Sequence, residues 1–322
     1  MTLQQITKTI QDSRNIVIMG HQKGDTDCFG SSFALARGLE NIGKNVQVIV
    51  PVDFPESLNY LLFYFSGDIV QSVEFCDLLI LIDSSDLARV LNPDLARKLK
   101  TEGTKVVMID HHTHGDLQNF ADISLVDEIA SSASELTYRL LDEMKINIDK
   151  NMATCLLAGI IGDTTSFQNQ NTTEASFSIA SELMKKGARL PNIINNTFGG
   201  KDVDVLKLWG LAMERLRTDN PYGIVFTYLT YDDISQYGLS ADATSGIVNF
   251  LNSIKNARVI ALITQEEKGI IKVSLRTRDP YANVASIAKQ LGGGGHIKAA
   301  AFSFPGTLKM LTEGSNSHIV IV

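Results

Sequence analysis

The chain has 322 residues, of which 44% are hydrophobic and 20% are charged, and its formal net charge is −7. This composition predicts a soluble globular protein with room for two domains and excludes a largely disordered chain. The negative charge argues against a protein that tracks long duplex nucleic acid through phosphate contacts. No apolar run has the length of a membrane span, and the three cysteines lack CxxC spacing, so we expect a cytoplasmic protein without a membrane partner.

The first half of the chain alternates apolar strands with helical patterns. "NIVIMGH" (15–21) predicts a buried strand, and "GSSFALARGLENIG" (30–43) predicts the helix that follows it. Further apolar strands are predicted at 44–50, 76–83 and 104–110. Strands that are apolar on both faces and separated by helices are typical of a parallel sheet covered by helices. We therefore predict an α/β catalytic domain over 1–190, with a parallel five-stranded sheet flanked by helices.

The second half changes in character. Helical patterns at 131–144, 151–164 and 172–188 are followed by a predicted linker helix over 191–220. Alternating apolar residues then predict strands, with a hairpin around 267–269, and the glycine run "GGGGH" (292–296) interrupts a helical pattern. The sequence thus predicts a smaller α+β domain over 221–322, which we expect to bind substrate.

Acidic and histidine residues follow three of the predicted strands, and a further acid closes the helix at 151–164. Because the carboxyl ends of parallel strands border one crevice, these side chains should converge there. Carboxylates and neutral imidazoles suit Mn²⁺ or Mg²⁺, and two such ions about 3.5–4 Å apart form a clamp for displacement at phosphorus. A single strand-end aspartate is ordinarily a helix cap, so the prediction rests on the whole set: His21, Asp25, Asp27, Asp83, Asp110, His111, His112 and Asp163.

The same segments resemble the motifs of a known family. "HQKGDTDCFGS", "IDSSD", "IDHH" and "GIIGDTTSF" are similar to the four motifs of the DHH phosphoesterases, in the same order. "LGGGGHIKAAAF" (291–302) resembles the glycine-rich signature of the DHH-associated C-terminal domain. In length and domain pairing the chain is most similar to the stand-alone nanoRNases, which cleave short oligoribonucleotides and nucleotides such as pAp and pApA. RecJ-type exonucleases share these motifs but normally carry further domains. Family II pyrophosphatases share the N-terminal half but end in a different domain.

The resemblance implies a division of the metal ligands between two Mn²⁺ ions, with Mg²⁺ as the other candidate. One ion would be bound by His21 and Asp25, and Asp83 would bridge both ions. The ligands of the second ion would be Asp27, His111 and Asp163. The attacking group would be a hydroxide activated by the two metals.

The resemblance also implies roles outside the ligand set. His112 would stabilise charge on the phosphate or act as an acid, and Asp110 would orient the adjacent histidines. The glycines can approach an anion closely through their N–H groups, and the guanidinium of Arg276 suits bidentate binding of a terminal phosphate. In the family these groups face the metal centre across the interdomain cleft. The predicted substrate clamp comprises Arg276, Gly293, Gly294, Gly295 and His296.

Four residues depart from the family's usual pattern without removing a ligand. Cys28 and Phe29 stand where the family usually has alanine and a small aliphatic residue. Thr165 and Ala301 each replace a common glycine. An intact ligand set predicts an active enzyme.

The predicted function is Mn²⁺-dependent hydrolysis of short single-stranded oligoribonucleotides from the 5′ end, and of small nucleotides such as pApA, pGpG and pAp. The enzymatic alternative is a linear or cyclic dinucleotide phosphodiesterase of second-messenger turnover. The non-enzymatic alternative is a catalytically silent nucleotide-binding sensor, which would ordinarily have lost a ligand. The oligomeric state that we expect is a homodimer.

Overall fold

The computed structural model describes residues 2–112, 115–197, 199, 202–218, 221–244, 246–313 and 316–321. The chain divides into two compact units, Met1–Gly199 and Gly200–Val322. None of the helices in these described segments combines the length and apolarity needed to cross a bilayer.

The first unit is built on a six-stranded parallel sheet, in the spatial order β3-β2-β1-β4-β5-β6. Chain progression therefore reverses between β1 and β4, and in open parallel sheets this reversal opens a crevice at the carboxyl ends of the two strands. The strands are β1 (Asn15–Met19), β2 (Asn45–Ile49), β3 (Asp68–Val70), β4 (Leu78–Ile82), β5 (Lys105–Asp110) and β6 (Ile123–Val126).

The predicted α/β class is confirmed, but the sheet has six strands rather than five. The two edge strands, β3 and β6, have only three and four residues, and neither contains a fully buried residue. They therefore lack the continuous apolar run from which a buried strand can be predicted.

Helices cover both faces of this sheet. One face packs Ile16 and Ile18 against the first, second, sixth and seventh helices, and the other packs Val17 and Met19 against the fourth. The alternation of these four residues follows the two-residue period of a strand. The helices are α1 (Thr2–Asp12), α2 (Thr26–Asn41), α3 (Asn59–Leu62), α4 (Pro93–Thr101), α5 (Leu117–Phe120), α6 (Ala133–Glu143), α7 (Lys150–Asp163), α8 (Glu174–Lys185) and α9 (Leu190–Thr197).

Helices α2 and α7 pack unusually closely. A Cβ atom on Gly30 of α2 would lie 2.5 Å from the Cys155 carbonyl oxygen of α7, so the approach requires glycine. This contact holds the helix that follows the first motif against the helix that ends in Asp163.

The second unit contains a five-stranded mixed sheet, in the order β10-β11-β9-β8-β7. The predicted hairpin around 267–269 joins β8 to β9. A separate two-stranded sheet closes the described chain. The elements are α10 (Val203–Glu214), β7 (Ile224–Leu229), α11 (Tyr231–Ser235), α12 (Ile247–Leu251), β8 (Val259–Glu267), β9 (Ile270–Arg276), α13 (Val284–Gln290), β10 (Gly294–His296), β11 (Ala299–Pro305), β12 (Leu308–Glu313) and β13 (Asn316–Ile321).

The glycine run forms a helix end and an edge strand rather than an open loop. Gly292 has φ +79° and ends α13, while the Gly293 N–H donates to the Ala288 carbonyl at 2.8 Å. Gly294 and Gly295 then pair with β11. A Cβ atom on Gly293 would lie 2.1 Å from the Ala301 carbonyl oxygen, so glycine permits close approach of two backbones here.

Candidate active site

The first motif places two carboxylates at the start of α2. Asp25 is the N-cap residue, and its Oδ1 accepts hydrogen bonds from the N–H groups of Asp27 (2.9 Å) and Cys28 (3.1 Å). This cap explains why α2 begins at Thr26, four residues before the predicted start. The cap employs one oxygen of Asp25, and a carboxylate has a second that can bind a cation.

Asp27 is held by the N-terminus of a second helix. Its Oδ2 accepts from the Ala133 N–H at 2.6 Å and its Oδ1 from the Ser134 N–H at 2.9 Å, at the start of α6. The partial positive charge of a helix N-terminus favours a buried carboxylate at this position. The carboxylate is therefore fixed in place, and each oxygen retains a lone pair for a metal ion.

Asp83 occupies the centre of the site, directly after β4. Its Oδ2 lies 3.5 Å from His21 Nε2, and its Oδ1 lies 3.6 Å from both His111 Nε2 and His112 Nδ1. Asp83 is 3% exposed, and within the described segments its Oδ1 has no hydrogen-bond partner. Its φ of +58° is left-handed, a conformation that is uncommon outside glycine and that often marks functional positions.

His111 Nε2 faces three carboxylates. It lies 3.5 Å from Asp163 Oδ2, 3.6 Å from Asp83 Oδ1 and 4.0 Å from Asp27 Oδ2. These contacts assemble the residues predicted for the second ion, together with the predicted bridging ligand.

Asp163 is oriented by a residue that the sequence analysis missed. Asn171 Nδ2 donates to Asp163 Oδ2 at 3.1 Å and to the Ser131 carbonyl at 2.9 Å. Three consecutive left-handed residues, 165–167, turn the chain back after α7 and bring this loop to the site. No sequence pattern marks such a turn, because none of the three is glycine.

The charged states of the buried acids depend on their neighbours. Burial raises the pKa of Asp27 and of Asp163, and nearby carboxylates raise both further. Burial also opposes ionisation of Asp83, but the neighbouring His21 and the positive charge of His112 hold the pKa of Asp83 well below its usual range. The metal-free cluster therefore carries a repulsion between like charges that cations would relieve.

The two adjacent histidines differ in charge. Burial and the neighbouring His112 lower the pKa of His111, which leaves it neutral, as a metal ligand must be. Burial lowers the pKa of His112 as well, but its hydrogen bond to Asp110 and the charge of Asp83 outweigh this and raise it to about 10. The bond joins His112 Nδ1 to Asp110 Oδ1 at 2.7 Å. His112 is therefore an imidazolium in the metal-free protein.

The donor set fits divalent metal ions. Among the described residues, two groups bring three donor atoms within 4.8 Å of one another: His21, Cys28 and Asp83, and Asp83, His111 and His112. Asp83 is common to both, as a bridging ligand would be. Its unpartnered buried oxygen is the observation that favours a cation most directly, because a buried carboxylate oxygen without a partner is costly.

Mn²⁺ should raise the melting temperature of the metal-stripped protein. An ion that binds only the folded state stabilises it by about 2.7 kcal/mol at 100 times its Kd. Differential scanning fluorimetry after chelation, with and without Mn²⁺, measures the shift. An equal rise in the His21→Ala/His111→Ala double variant would contradict a metal site at these residues.

Two of the predicted clamp residues, Arg276 and His296, share one face of the second sheet. Arg276 pairs with Ala299, and Ala299 pairs with His296, so the three form a row across β9, β11 and β10. Neighbouring strands lie about 4.8 Å apart, which separates the Arg276 and His296 backbones by roughly 10 Å with a small side chain between them. This row places a guanidinium and an imidazole on either side of a small residue.

The guanidinium of Arg276 is fixed by its own unit. Nε donates to Asn249 Oδ1 at 2.7 Å, and Nη1 donates to the Leu275 carbonyl at 2.9 Å. Arginine has five N–H donors, so these two bonds orient the group while others can address an anion. Asn249 lies on α12 and is a second contributor that the sequence analysis missed.

Comparison with known proteins matches each of the two units to a known domain. Residues 15–160 match the DHH family, N-terminal domain, and residues 222–313 match the DHHA1 domain. The chain is 28% identical over 304 residues to the bifunctional oligoribonuclease and PAP phosphatase NrnA of Bacillus subtilis, covering 93% of this chain and 92% of the relative. It is 30% identical over 288 residues to a probable NrnA of Streptococcus mutans, covering 88% of each.

A solved structure extends the likeness to the fold. An exopolyphosphatase-related protein from Bacteroides fragilis superposes with a TM-score of 0.84 at 28% identity, covering 95% of this chain and 92% of that one. The resemblance drawn from the motifs is confirmed by these matches. The chain belongs to the DHH family of phosphoesterases, as a member that joins a DHH domain to a DHHA1 domain.

Proposed function

We propose that the protein is a Mn²⁺-dependent phosphodiesterase and phosphatase that removes mononucleotides from the 5′ end of short single-stranded oligoribonucleotides. Its smaller substrates are pApA, pGpG and pAp. The observation that carries the proposal is the convergence of His21, His111 and the carboxylates on buried Asp83, at the reversal point of the parallel sheet. The names of the NrnA relatives support the substrate class.

The proposed ligands are His21 and Asp25 for one ion, Asp83 for both, and Asp27, His111 and Asp163 for the other. When bound, two divalent ions supply Lewis-acid activation of water and neutralise charge on the phosphate. The chain itself fixes the ligands: the α6 N-terminus holds Asp27, and Asn171 holds Asp163. These supports keep the donor atoms in place before substrate arrives.

His112 has a separate role in the proposal. Its Nδ1 is bonded to Asp110, which fixes the ring and leaves the stabilisation of phosphate charge to Nε2. With its Nδ1 bonded to Asp110, a protonated His112 ring can hold its other proton against a phosphate oxygen or deliver that proton to the leaving oxygen.

His111→Ala and His112→Ala should therefore differ in kind. His111→Ala should raise the Mn²⁺ concentration needed for full rate, because a ligand is lost. His112→Ala should lower kcat with metal affinity largely retained, because its charge is required only as the transition state forms. Mn²⁺ titrations of activity on pApA measure both effects, and coincident titration curves for the two variants would contradict the division.

The second unit supplies substrate selection in this proposal. The Arg276–Ala299–His296 row suits a terminal phosphate, which the guanidinium binds through paired donors while Ala299 leaves room. The β10 backbone contributes as a sheet edge, with Gly294 and Gly295 allowing a ligand to approach closely. Gly293 is committed to the end of α13 and is proposed to shape the segment rather than to donate to a ligand.

Incubation of the purified protein with pApA, pAp and a 5-mer RNA under Mn²⁺ tests the proposal. Release of AMP or of mononucleotides from the 5′ end is expected. No hydrolysis of any of the three would overturn the proposed function.

A phosphodiesterase that prefers dinucleotides is the second candidate function. The names of the NrnA relatives join an oligoribonuclease activity to a PAP phosphatase activity and do not separate a linear dinucleotide from a short RNA. The ratio of kcat/KM for pApA or pGpG to that for a 5-mer RNA distinguishes the two. A ratio far above one would indicate a dinucleotide enzyme of second-messenger turnover, whereas tight binding without turnover would indicate a sensor.

A further inference from the structure

A cysteine lies among the residues proposed for the first metal ion. Cys28 Sγ, a ring nitrogen of His21 and a carboxylate oxygen of Asp83 all lie within 4.8 Å of one another. Cys28 is the third residue of α2 and is fully buried. The other two cysteines, Cys76 and Cys155, belong to no such group within the described segments. The chain thus places a sulfur atom where the family usually has alanine.

The position of this sulfur is fixed by its surroundings. A Cβ atom on Gly20 would lie 2.1 Å from Cys28 Sγ, and one on Gly24 would lie 3.3 Å away. The sulfur therefore occupies the space that a side chain at position 20 would fill, between the end of β1 and the start of α2. A larger residue at position 20 would have to displace it.

A second observation indicates that a ligand belongs here. Asp83, which shares this group with Cys28, is only 3% exposed, and within the described chain its Oδ1, the oxygen that faces His111 and His112, lacks a hydrogen-bond partner, so the carboxylate common to both groups is left short of a cation. His21 approaches the other oxygen at 3.5 Å, longer than a hydrogen bond of ordinary length. Three donors that are close together without short contacts between them are the arrangement expected around a cation.

We propose that Cys28 is a direct sulfur ligand of the metal ion held by His21 and Asp83. Thiolate sulfur is a soft ligand, so it favours Co²⁺, Zn²⁺ and Cd²⁺ relative to Mn²⁺ at this position. The bond forms between sulfur and the metal while the thiol proton passes to solvent. This inference deepens the metal centre proposed above and rests on it.

Optical absorption of the Co²⁺-loaded protein tests the proposal without reference to activity. Titration of the metal-stripped protein with Co²⁺ should produce visible ligand-field bands together with a near-ultraviolet sulfur-to-cobalt charge-transfer band. The charge-transfer band should disappear in Cys28→Ala and in Cys28→Ser while the ligand-field bands persist. It should remain in Cys76→Ala and Cys155→Ala, which remove buried thiols outside the group.

Metal competition gives an independent readout. The preference for Cd²⁺ over Mn²⁺, measured as the ratio of the two Kd values, should fall at least about tenfold in Cys28→Ala. Ligand-field bands without the charge-transfer band in the unaltered protein would overturn the role of Cys28 and leave the metal centre standing. Absence of any Co²⁺ spectrum would overturn both.

Discussion

Asp83→Asn should lower kcat/KM on pApA by at least about 10³-fold, because it removes the carboxylate proposed to bridge both metal ions. Asparagine is the informative substitution at this position. It has nearly the same shape as aspartate, and it tolerates the left-handed backbone that Asp83 adopts at φ +58°. Alanine tolerates that conformation less well, so its effect on activity would include a backbone effect.

The fold should survive Asp83→Asn, which separates loss of chemistry from loss of structure. Because His21 and His112 hold the pKa of Asp83 low, its charge stabilises the folded state, and Asp83→Asn should lower the melting temperature of the metal-free protein while leaving one cooperative transition. Isothermal titration with Mn²⁺ should show weakened binding of both ions. Asp94→Asn, an exposed carboxylate on α4 that pairs with Arg97, is the control and should retain full activity. Near-normal turnover of Asp83→Asn would mean that Asp83 is not a metal ligand.

Arg276→Ala and His296→Ala should impair pApA and short RNA while sparing a small activated phosphodiester. Loss of one charge-assisted hydrogen bond costs about 1.5–3 kcal/mol, a fall in kcat/KM of roughly 10- to 160-fold. Hydrolysis of bis-p-nitrophenyl phosphate should continue at close to the parent rate, because the proposed metal ligands all lie in the first unit.

Lys289→Ala provides the matched control for the clamp. Lys289 is an exposed cation of the same unit on α13, and that helix packs on the opposite sheet face, against Leu275 and Ala300. Its removal changes the net charge by the same amount as Arg276→Ala without touching the Arg276–Ala299–His296 row. Equal losses on pApA and on the small diester in Arg276→Ala would show that this residue serves the chemistry or the fold instead.

The sequence was most informative where strands are buried on both faces. Continuous apolar runs such as "LLILID" mark β4 and place Asp83 at its end, so the convergence of the acids could be predicted from the order of strands and acids along the chain. The switch point between β1 and β4 depends on the spatial order of the strands, which no local pattern records. Short edge strands such as β3 pair through the backbone and leave little apolar signal.

The supporting contacts of the site could not be predicted for a related reason. Asp27 is held by N–H groups from residues 133 and 134, over a hundred positions away in sequence. Asn171 reaches Asp163 only through a left-handed turn made by residues other than glycine. Backbone donors and strained turns carry no side-chain signature, so their positions follow from tertiary structure alone.

The glycine run shows how one pattern can have several physical uses. Four glycines favour an anion-binding loop when read alone, but the structure uses Gly292 to end α13 and the next three to approach and pair with β11. That His296 and Arg276 act together stays a prediction, and strand pairing places the two residues in one row. What changes is the proposed source of the phosphate contacts, from open backbone donors to side chains and a sheet edge.

Metal-dependent hydrolysis of short RNA is most directly tested by turnover of 5′-phosphorylated RNA of 2 to 24 nucleotides, beside pAp and pApA, in the metal-stripped protein before and after addition of Mn²⁺. We expect no turnover without metal and release of mononucleotides from the 5′ end with it. The kcat/KM values should be highest for the shortest substrates and fall with length. Turnover that is unaffected by metal removal, or that is equal at 2 and 24 nucleotides, would contradict a metal-dependent hydrolase of short oligoribonucleotides.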